Sequence, residues 1–388
     1  MADNHFKIHK GTTHAPQASA PANPTNGDIY YDSTLNRFRG YENGVWVDVT
    51  SGTSITLPEK NRIINGGMDY WQRGGASGNT SLGSVAYSSV DRFTTELVGA
   101  GFGSIERSST SLPNNLTRYN AQILTNTPTS DDDDGVELIH KIESINVGDL
   151  AGESASFSFF YKASVDAPTE VNVELSVADS LDIFAAVTPF STNRIVLTND
   201  ATWREIKIEN FTLPSDAGDG VQIRLTFDNV GTLSTNGFLE VTQFMFAKGA
   251  TAQPFTYAGG DLASELQLCQ RYFEKSYNLD TTIGVADITS ASRQTCFVVG
   301  TNIAESVRME FNVNKRTIPV VNTWNQVGSP PLDSIVWLGV VGSGNVLADI
   351  TNPSERGFNV RPVNGSLTGQ VRGDAILVYC NYAADAEL

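Results

Sequence analysis

Short stretches in which apolar and polar residues alternate one by one recur along most of this chain, and that period restricts its fold more than any other feature. Between residues 154 and 163, Ala155, Phe157, Phe159 and Tyr161 share one face, and Ser154, Ser156, Ser158 and Lys162 share the other. Val171, Val173, Leu175 and Val177 alternate with Glu170, Asn172, Glu174 and Ser176. Val221, Ile223, Leu225 and Phe227 alternate with Gln222, Arg224 and Thr226, and Ile206 and Ile208 with Glu205, Lys207 and Glu209. Successive side chains on a strand point to opposite faces, so each run predicts a strand wet on one side and buried on the other. Clusters of Gly, Pro, Asn and Asp separate the runs. The expected class is all-β, an antiparallel sandwich, and a jelly roll satisfies the pattern. The period returns late in the chain, where Val307, Met309, Phe311 and Val313 alternate with Arg308, Glu310 and Asn312. In the last strand Ile376, Val378, Cys380 and Tyr382 share a face, yet Leu377 and Tyr379 on the other face are apolar too. A strand apolar on both sides implies contact with another domain or subunit.

One segment departs from the pattern. Residues 259–276 predict a linking α-helix, with Asp261 as N-cap, Glu265 near the positive end of the dipole and Lys275 in the last turn. Leu262, Leu266, Cys269 and Phe273 recur at spacings of four, three and four, and Leu268 and Tyr272 widen that stripe. The two β-rich blocks on either side, or copies of the helix itself, have to cover it. Leu262, Leu266, Cys269 and Phe273 are therefore expected oligomer contacts.

Residues 1–26 carry Pro16, Pro21 and Pro24 among Ala, Ser, Thr and Asn, a composition that supports no core. They read as an extended arm that orders on a partner, with Phe6, Ile8 and His9 as its docking residues. Residues 27–57 read as a small β-meander, with Asn43-Gly44 supplying a tight turn. About two dozen residues bury no independent core. Tyr30, Tyr31, Tyr41 and Trp46 exceed what the meander hides alone, so Trp46 is expected at a subunit contact.

Length and charge exclude several functions. A chain of 388 residues has room for two or three domains. A net charge of -17 argues against a nucleic-acid surface. Cys269, Cys296 and Cys380 match no zinc spacing and are expected as buried free thiols. Of the four histidines, His5, His9 and His14 fall in the arm, which leaves His140 alone inside a domain, too little for a Ser-His-Asp or Cys-His site. His140 is expected to be a satisfied, partly buried strand residue. No apolar run approaches the roughly 18 residues of a membrane span, and Met1 to His5 opens no signal peptide. The expectation is a soluble protein made in a cytoplasm, without membrane insertion.

Four motifs, in order, carry a resemblance. Gly27-Asp28-Ile29-Tyr30-Tyr31-Asp32 through Tyr41-Glu42-Asn43-Gly44-Val45-Trp46 resembles the small meander near the N-termini of bacteriophage fibre proteins. Asn61-Arg62-Ile63-Ile64-Asn65-Gly66-Gly67-Met68-Asp69-Tyr70-Trp71-Gln72-Arg73-Gly74, followed by Val90-Asp91-Arg92-Phe93, is similar to the opening of a jelly-roll module of phage tail fibres that looks like carbohydrate-binding modules. Phe246 to Phe255 and Leu268-Cys269-Gln270-Arg271-Tyr272-Phe273-Glu274-Lys275-Ser276 resemble the strand and helix that close that module, with Lys248 where the family often has an acid. The ending Asn381 to Leu388 is similar to fibre C-termini. The resemblance implies a bacteriophage tail-fibre or virion appendage protein.

Candidate chemistry is sparse. Asp131-Asp132-Asp133-Asp134 offers hard oxygen ligands for Ca²⁺, without EF-hand spacing, and a solvated turn explains it equally. Trp71 is expected in the core, with Arg73 paired to an acid such as Asp91, and Trp337 is expected in the core as well. Trp324-Asn325-Gln326 reads as a polar loop with an exposed aromatic, suited to a sugar face and its hydroxyls. Glycan hydrolysis needs two carboxylates flanking a cleft, and no pair is singled out. No catalytic residue and no metal site is assigned.

The sequence thus predicts an arm (1–26), a meander (27–57), a jelly roll (58–258), a linking helix (259–276) and a C-terminal β-sandwich head (277–388). The expected protein is a homotrimeric virion fibre that attaches the particle to host surface glycan or protein, without catalysis. A head fibre, a structural adaptor and a glycan-cleaving tail spike stay open as alternatives.

Overall fold

The computed structural model describes residues 16–49, 59–74, 80–81, 87, 89–98, 102–125, 135–228, 237–285, 292–301, 303–325, 334–338, 343–363, 367 and 369–388. Two compact units emerge, Met1–Pro58 and Glu59–Leu388. The docking residues Phe6, Ile8 and His9, the acidic run Asp131 to Asp134, and Gln326 lie outside the described residues.

In the first unit, β1 (Ile29–Asp32), β2 (Arg37–Glu42) and β3 (Val45–Asp48) form an antiparallel meander in that order. Asn36 and Asn43 take φ of 55° and 50° at its two turns, the left-handed region that asparagine tolerates. Trp46 packs edge-on against Tyr30 at 4.7 Å and Tyr41 at 5.2 Å between ring centroids. Its ring is thus half-covered by its own meander and half exposed. Gln17 bonds the backbone of Tyr31 and Ser33, so the described part of the arm lies along its own first strand.

The second unit opens with β4 (Thr80–Ser81), β5 (Phe93–Val98), β6 (Phe102–Ser108), β7 (Asn120–Thr125) and β8 (Gly135–Ile142). A single turn, α1 (Ser144–Val147), leads to β9 (Ser154–Ala163), β10 (Glu170–Ser180) and β11 (Ile183–Val196). The sandwich closes with β12 (Arg204–Thr212), β13 (Val221–Asp228) and β14 (Phe238–Lys248). One sheet has the order β11-β10-β13-β8-β5 and the other β12-β9-β14-β7-β6-β4. From β7 to β14, first, eighth, third and sixth strands are neighbours in one sheet, and second, seventh, fourth and fifth in the other. That is the winding of a jelly roll. Between the sheets Phe159 stacks on Phe244 at 5.1 Å, with Phe157 and Phe93 beside them. His140 also faces this core, against the Phe93 ring at 4.7 Å. Burial and the Arg92 charge hold its pKa well below the usual range, so it is neutral, and Nδ1 has no hydrogen-bond partner. The expectation of a satisfied, partly buried histidine is corrected to a fully buried one with an orphan nitrogen.

The Asn61–Gly74 motif proves to be a structural knot. Asn65 Oδ1 accepts from the backbone of Asp69 and Tyr70 at 3.0 Å each, and Nδ2 donates to Tyr70 and Asp91 carbonyls. A Cβ on Gly66 would sit 2.3 Å from the Phe244 carbonyl oxygen, so only glycine fits. Trp71 is buried, its indole donating to Met68 O at 2.7 Å.

The linking helix, α2, runs over Leu262–Gln270, and Asp261 caps it by accepting from Ser264 N at 2.9 Å. It is shorter than its sequence suggests. Phe273–Lys275 forms strand β15 instead, because pairing with the C-terminal strand offers those residues more than a further helical turn. Lys275 therefore lies outside the helix, its Nζ donating to Leu279 and Thr281 carbonyls. Cys269, Tyr272, Ile64 and Tyr70 form a small core, with Leu262, Leu266 and Leu388 packed against it, and Phe273 is buried as well. The chain thus buries Cys269 and Phe273 itself and covers Leu262 and Leu266 in part. Shortening the helix narrowed the face that seemed to need other copies.

The head comprises β15, β16 (Ser292–Gly300), β17 (Ile303–Ala304), β18 (Val307–Glu310), β19 (Val320–Trp324), β20 (Ser334–Leu338), β21 (Ser343–Ser354), β22 (Gly357–Pro362) and β23 (Ala375–Asp385). All nine belong to one hydrogen-bonded network around a core of its own that includes Ile335, Trp337, Phe358 and Val378. β23 is the hub: its first half pairs with β16 and β20, its second half with β15 and β19.

Charged groups fasten the head to the jelly roll. Glu143, at the end of the jelly-roll strand β8, accepts from Arg271 Nη1 at 2.5 Å, Tyr272 Oη at 2.5 Å and Arg316 Nε at 2.9 Å. Burial works against its charge, but these donors outweigh it and hold the carboxyl below its ordinary pKa. Arg92 pairs with Glu387 and lies over the Tyr272 ring at 3.4 Å. Arg73 reaches Asp385 at 2.9 Å, Glu387 at 3.3 Å and the expected Asp91 only at 4.0 Å. Deepest of all, Lys315 Nζ bonds Glu274 Oε2 at 2.7 Å, and Asn312 and Tyr382 satisfy the other Glu274 oxygen.

Removing one member of that pair should be costly. Lys315→Met is expected to lower the unfolding free energy by about 3–5 kcal/mol, read from urea denaturation, with Glu274→Leu on the same chain recovering part of the loss. Stability should also depend on pH. Burial pushes Asp91 up to about 6 and Glu265 up to about 7. Carboxyls raised in the folded state favour folding while protonated, so this stability is present at low pH and lost as pH rises through 6–7. The denaturation midpoint should fall between pH 5 and pH 8, and Glu265→Gln should flatten that slope.

Candidate functional site

Sheet sandwiches carry function either on loops at their ends or on an outer face. In this jelly roll, the outer face of the β12-β9-β14 strands departs from a plain solvated surface. Phe159 points into the core, so its neighbour Phe160 points out, onto the face of Ser156 and Ser158. Glu205 and Lys207 of β12 stand opposite Phe160 and Ser158, and pair with each other at 2.9 Å. That neighbour raises the Lys207 pKa, which keeps the ammonium charged.

Two segments wall this face. Asn114, in the 109–119 connection, exchanges amide bonds with Gln243, 2.6 Å in one direction and 3.0 Å in the other. Gln243 takes φ of 55° at an irregularity between Thr242 and Met245, which swings its side chain out of the strand's alternation. On the other side the chain after β14 crosses the sheet. Ser156 Oγ donates to Thr251 O, Ala252 N to Glu209, and Asn61 Nδ2 to Thr256 O. This crossing sets Phe255 over the face, edge-on to Tyr257 at 5.2 Å. Tyr257 Oη in turn lies 2.8 Å from both Asp69 Oδ2 and Leu116 O, its one proton available to either.

The result is an open cleft of about 280 Å³ lined by Phe160, Phe255, Asn114, Gln243, Glu205 and Lys207, among others. It lies near the lower bound for small-molecule sites. Farther along the same face Trp203 donates its indole N–H to Ser111 O, and Lys162 lies 5.3 Å from its ring. Lys162 forms a buried pair with Glu240, which also accepts from Gln122 at 3.1 Å. Aromatic rings, amides and one exposed ion pair side by side present apolar surface together with donors and acceptors. That combination suits a ligand with both C–H faces and hydroxyls. Among the described lining residues Glu205 is the one carboxylate.

The residues singled out from the sequence lie elsewhere. Trp324 ends strand β19 opposite Asn381, half-buried against Tyr277 at 6.4 Å, so it is a strand residue instead of a loop tip. Asn325 is buried beside it. Neither joins the cleft. One signal for the cleft was readable: Phe159-Phe160 breaks the alternation and puts a phenylalanine on the serine face. The Asn114–Gln243 pair, 129 residues apart in sequence, left none.

No family model and no curated protein matches the chain. Among solved structures, the enzymatically active domain of the bacteriophage CBA120 tailspike protein 4 aligns at TM-score 0.32 and 11% identity over 49% of this chain. The alignment spans only 21% of that protein, well under two thirds of its length. TmCBM61, solved with β-1,4-galactotriose, aligns at TM-score 0.31 and 9% identity, covering 49% of this chain and 99% of that one. A CBM4 structure aligns at TM-score 0.26 and 19% identity, covering 46% and 84%. These likenesses are too weak to decide fold or function, and the jelly-roll assignment rests on the strand order above.

The amide pair is expected to pin the cleft wall without supporting the core. Asn114→Ala should speed hydrogen exchange across residues 109–119 several-fold, while global unfolding free energy changes by about 1 kcal/mol or less.

Proposed function

We propose that the chain is a bacteriophage virion fibre protein that attaches the particle to glycans of the host surface. The observation that carries this reading is the cleft in which Phe160 and Phe255 lie beside the Asn114–Gln243 amides and the Glu205–Lys207 pair. A pyranose places its C–H face on an aromatic ring, and its hydroxyls bond amides and charged groups. The motif resemblance to fibre proteins supplies the setting, and the jelly-roll strand order agrees with the module it implied. A shallow, open cleft binds a sugar weakly, and several copies on one particle raise avidity well above a single contact.

Binding without cleavage is the favoured mode. Hydrolysis uses two carboxylates about 5–9.5 Å apart across the bond, and the described cleft residues supply Glu205 alone, already paired to Lys207.

An array of bacterial surface polysaccharides probed with the full chain tests this. Retention on at least one glycan is expected, and Phe160→Ala with Phe255→Ala should weaken it at least tenfold with the thermal unfolding midpoint nearly unchanged. Trp324→Ala should leave retention intact. Silence across the array, or retention indifferent to the double substitution, removes the cleft as the site. Release of oligosaccharide products would replace attachment by the tail-spike enzyme reading.

A further inference from the structure

An apolar surface does remain bare, on the outside of the head. β23 lies between β16 and β20, and β21 follows β20. Cys296, Ile376, Val378 and Trp337 point inward from these strands and are buried. Their alternates therefore point out: Phe297 on β16, Leu377 and Tyr379 on β23, Val336 and Leu338 on β20, and Leu347 on β21. The register makes them neighbours, with Leu377 opposite Leu338, Tyr379 opposite Val336, and Phe297 one row away beside Ala375. Phe297, Leu338 and Leu347 are each about half exposed, and the other three are partly covered by one another. Four strands about 4.8 Å apart and five residues at about 3.3 Å give roughly 300 Å² in projection, the lower end of the range for the largest apolar patch on a chain, which is often a functional one.

We infer that this outer face of the head is where copies of the chain associate. Charge selects the occupant. The chain carries 43 acidic residues against 26 basic ones, so two copies repel through most of their surface. On the four strands Thr295, Ser343 and Asn345 around the apolar rows are neutral, and the exposed Glu305, whose N–H bonds Phe297 O, stands at the edge of the face beyond β16. The next outward acid on β21, Asp349, is paired to Arg361 at 2.7 Å. A second copy is thus offered a face whose centre carries no like charge, with Glu305 confined to the edge, and the contact hides the same apolar rows on both partners. A stable interface buries about 800 Å² per partner, so the apolar rows form its centre and the neutral positions its rim. The last strand's two apolar faces then have separate uses: one fills the head core and the other meets a second copy. This inference does not depend on the glycan reading, because the cleft lies on the jelly roll.

Light scattering of the full chain across a concentration series, with Phe297→Glu and Leu338→Glu, tests it. The unaltered chain should give a mass of two or more copies of 41.8 kDa. Each substitution should weaken association at least tenfold, while Val196→Glu on the exposed edge strand β11 should not. Far-ultraviolet circular dichroism checks folding, and Leu338→Gln repeats the test with a milder change should a glutamate variant misfold. A monomer at every concentration overturns the inference, as does an assembly that survives both glutamates. Glycan retention by the monomeric variant, weakened in avidity but saved in single-site affinity, would separate the two proposals.

Discussion

A buried lysine–glutamate pair at the start of the head, with the charged residues around it, decides how this chain is put together. Glu274 and Lys315 are wholly removed from water, a state tolerable only because every oxygen and proton of the pair finds a partner. Glu274 belongs to the short strand after the helix and Lys315 to the loop before β19. The two are neighbours only once β23 lies between β15 and β19. Glu143 extends the same logic to the jelly roll, drawing Arg271, Tyr272 and Arg316 from three places in the chain. Such a seam is intolerant of partial assembly, since a missing partner leaves a charge stranded in an apolar interior. Jelly roll, helix and head therefore form one compact unit.

The rigidity has a consequence for the cleft. Its floor is the β12-β9-β14 end of a sheet whose inner face is locked by stacked phenylalanines. One wall hangs on Tyr257, which is tied to Asp69 in the same knot of backbone bonds that holds Trp71. Ligand groups would meet side chains already held in place, so little ordering is paid on binding. The head presents its bare apolar rows on the far side of β23 from the seam, which leaves cleft and association surface on different parts of the unit.

Much of the architecture was legible residue by residue. Phe157, Phe159 and Tyr161 fill the core because their spacing left them no other face, and Asp261 caps the helix as its position before Leu262 implied. Trp71 and Trp337 are buried as expected. The helix end was not legible, since Tyr272, Phe273 and Lys275 continue a helical stripe, and only the presence of β23 shows why they extend. Likewise Trp324 looked exposed beside Asn325 and the glycines and prolines that follow, yet it closes a strand against Tyr277.

The sequence by itself determined the strands, their inner faces and the cap, because those follow from period and local backbone preference. It also flagged the last strand as apolar on both sides. Tertiary structure alone decided which charges meet, where the helix stops, what covers its stripe and that Phe160, Phe255, Asn114 and Gln243 share a cleft. These depend on contacts between residues tens to hundreds of positions apart, and a linear pattern holds no record of which distant segment will arrive to satisfy a buried group.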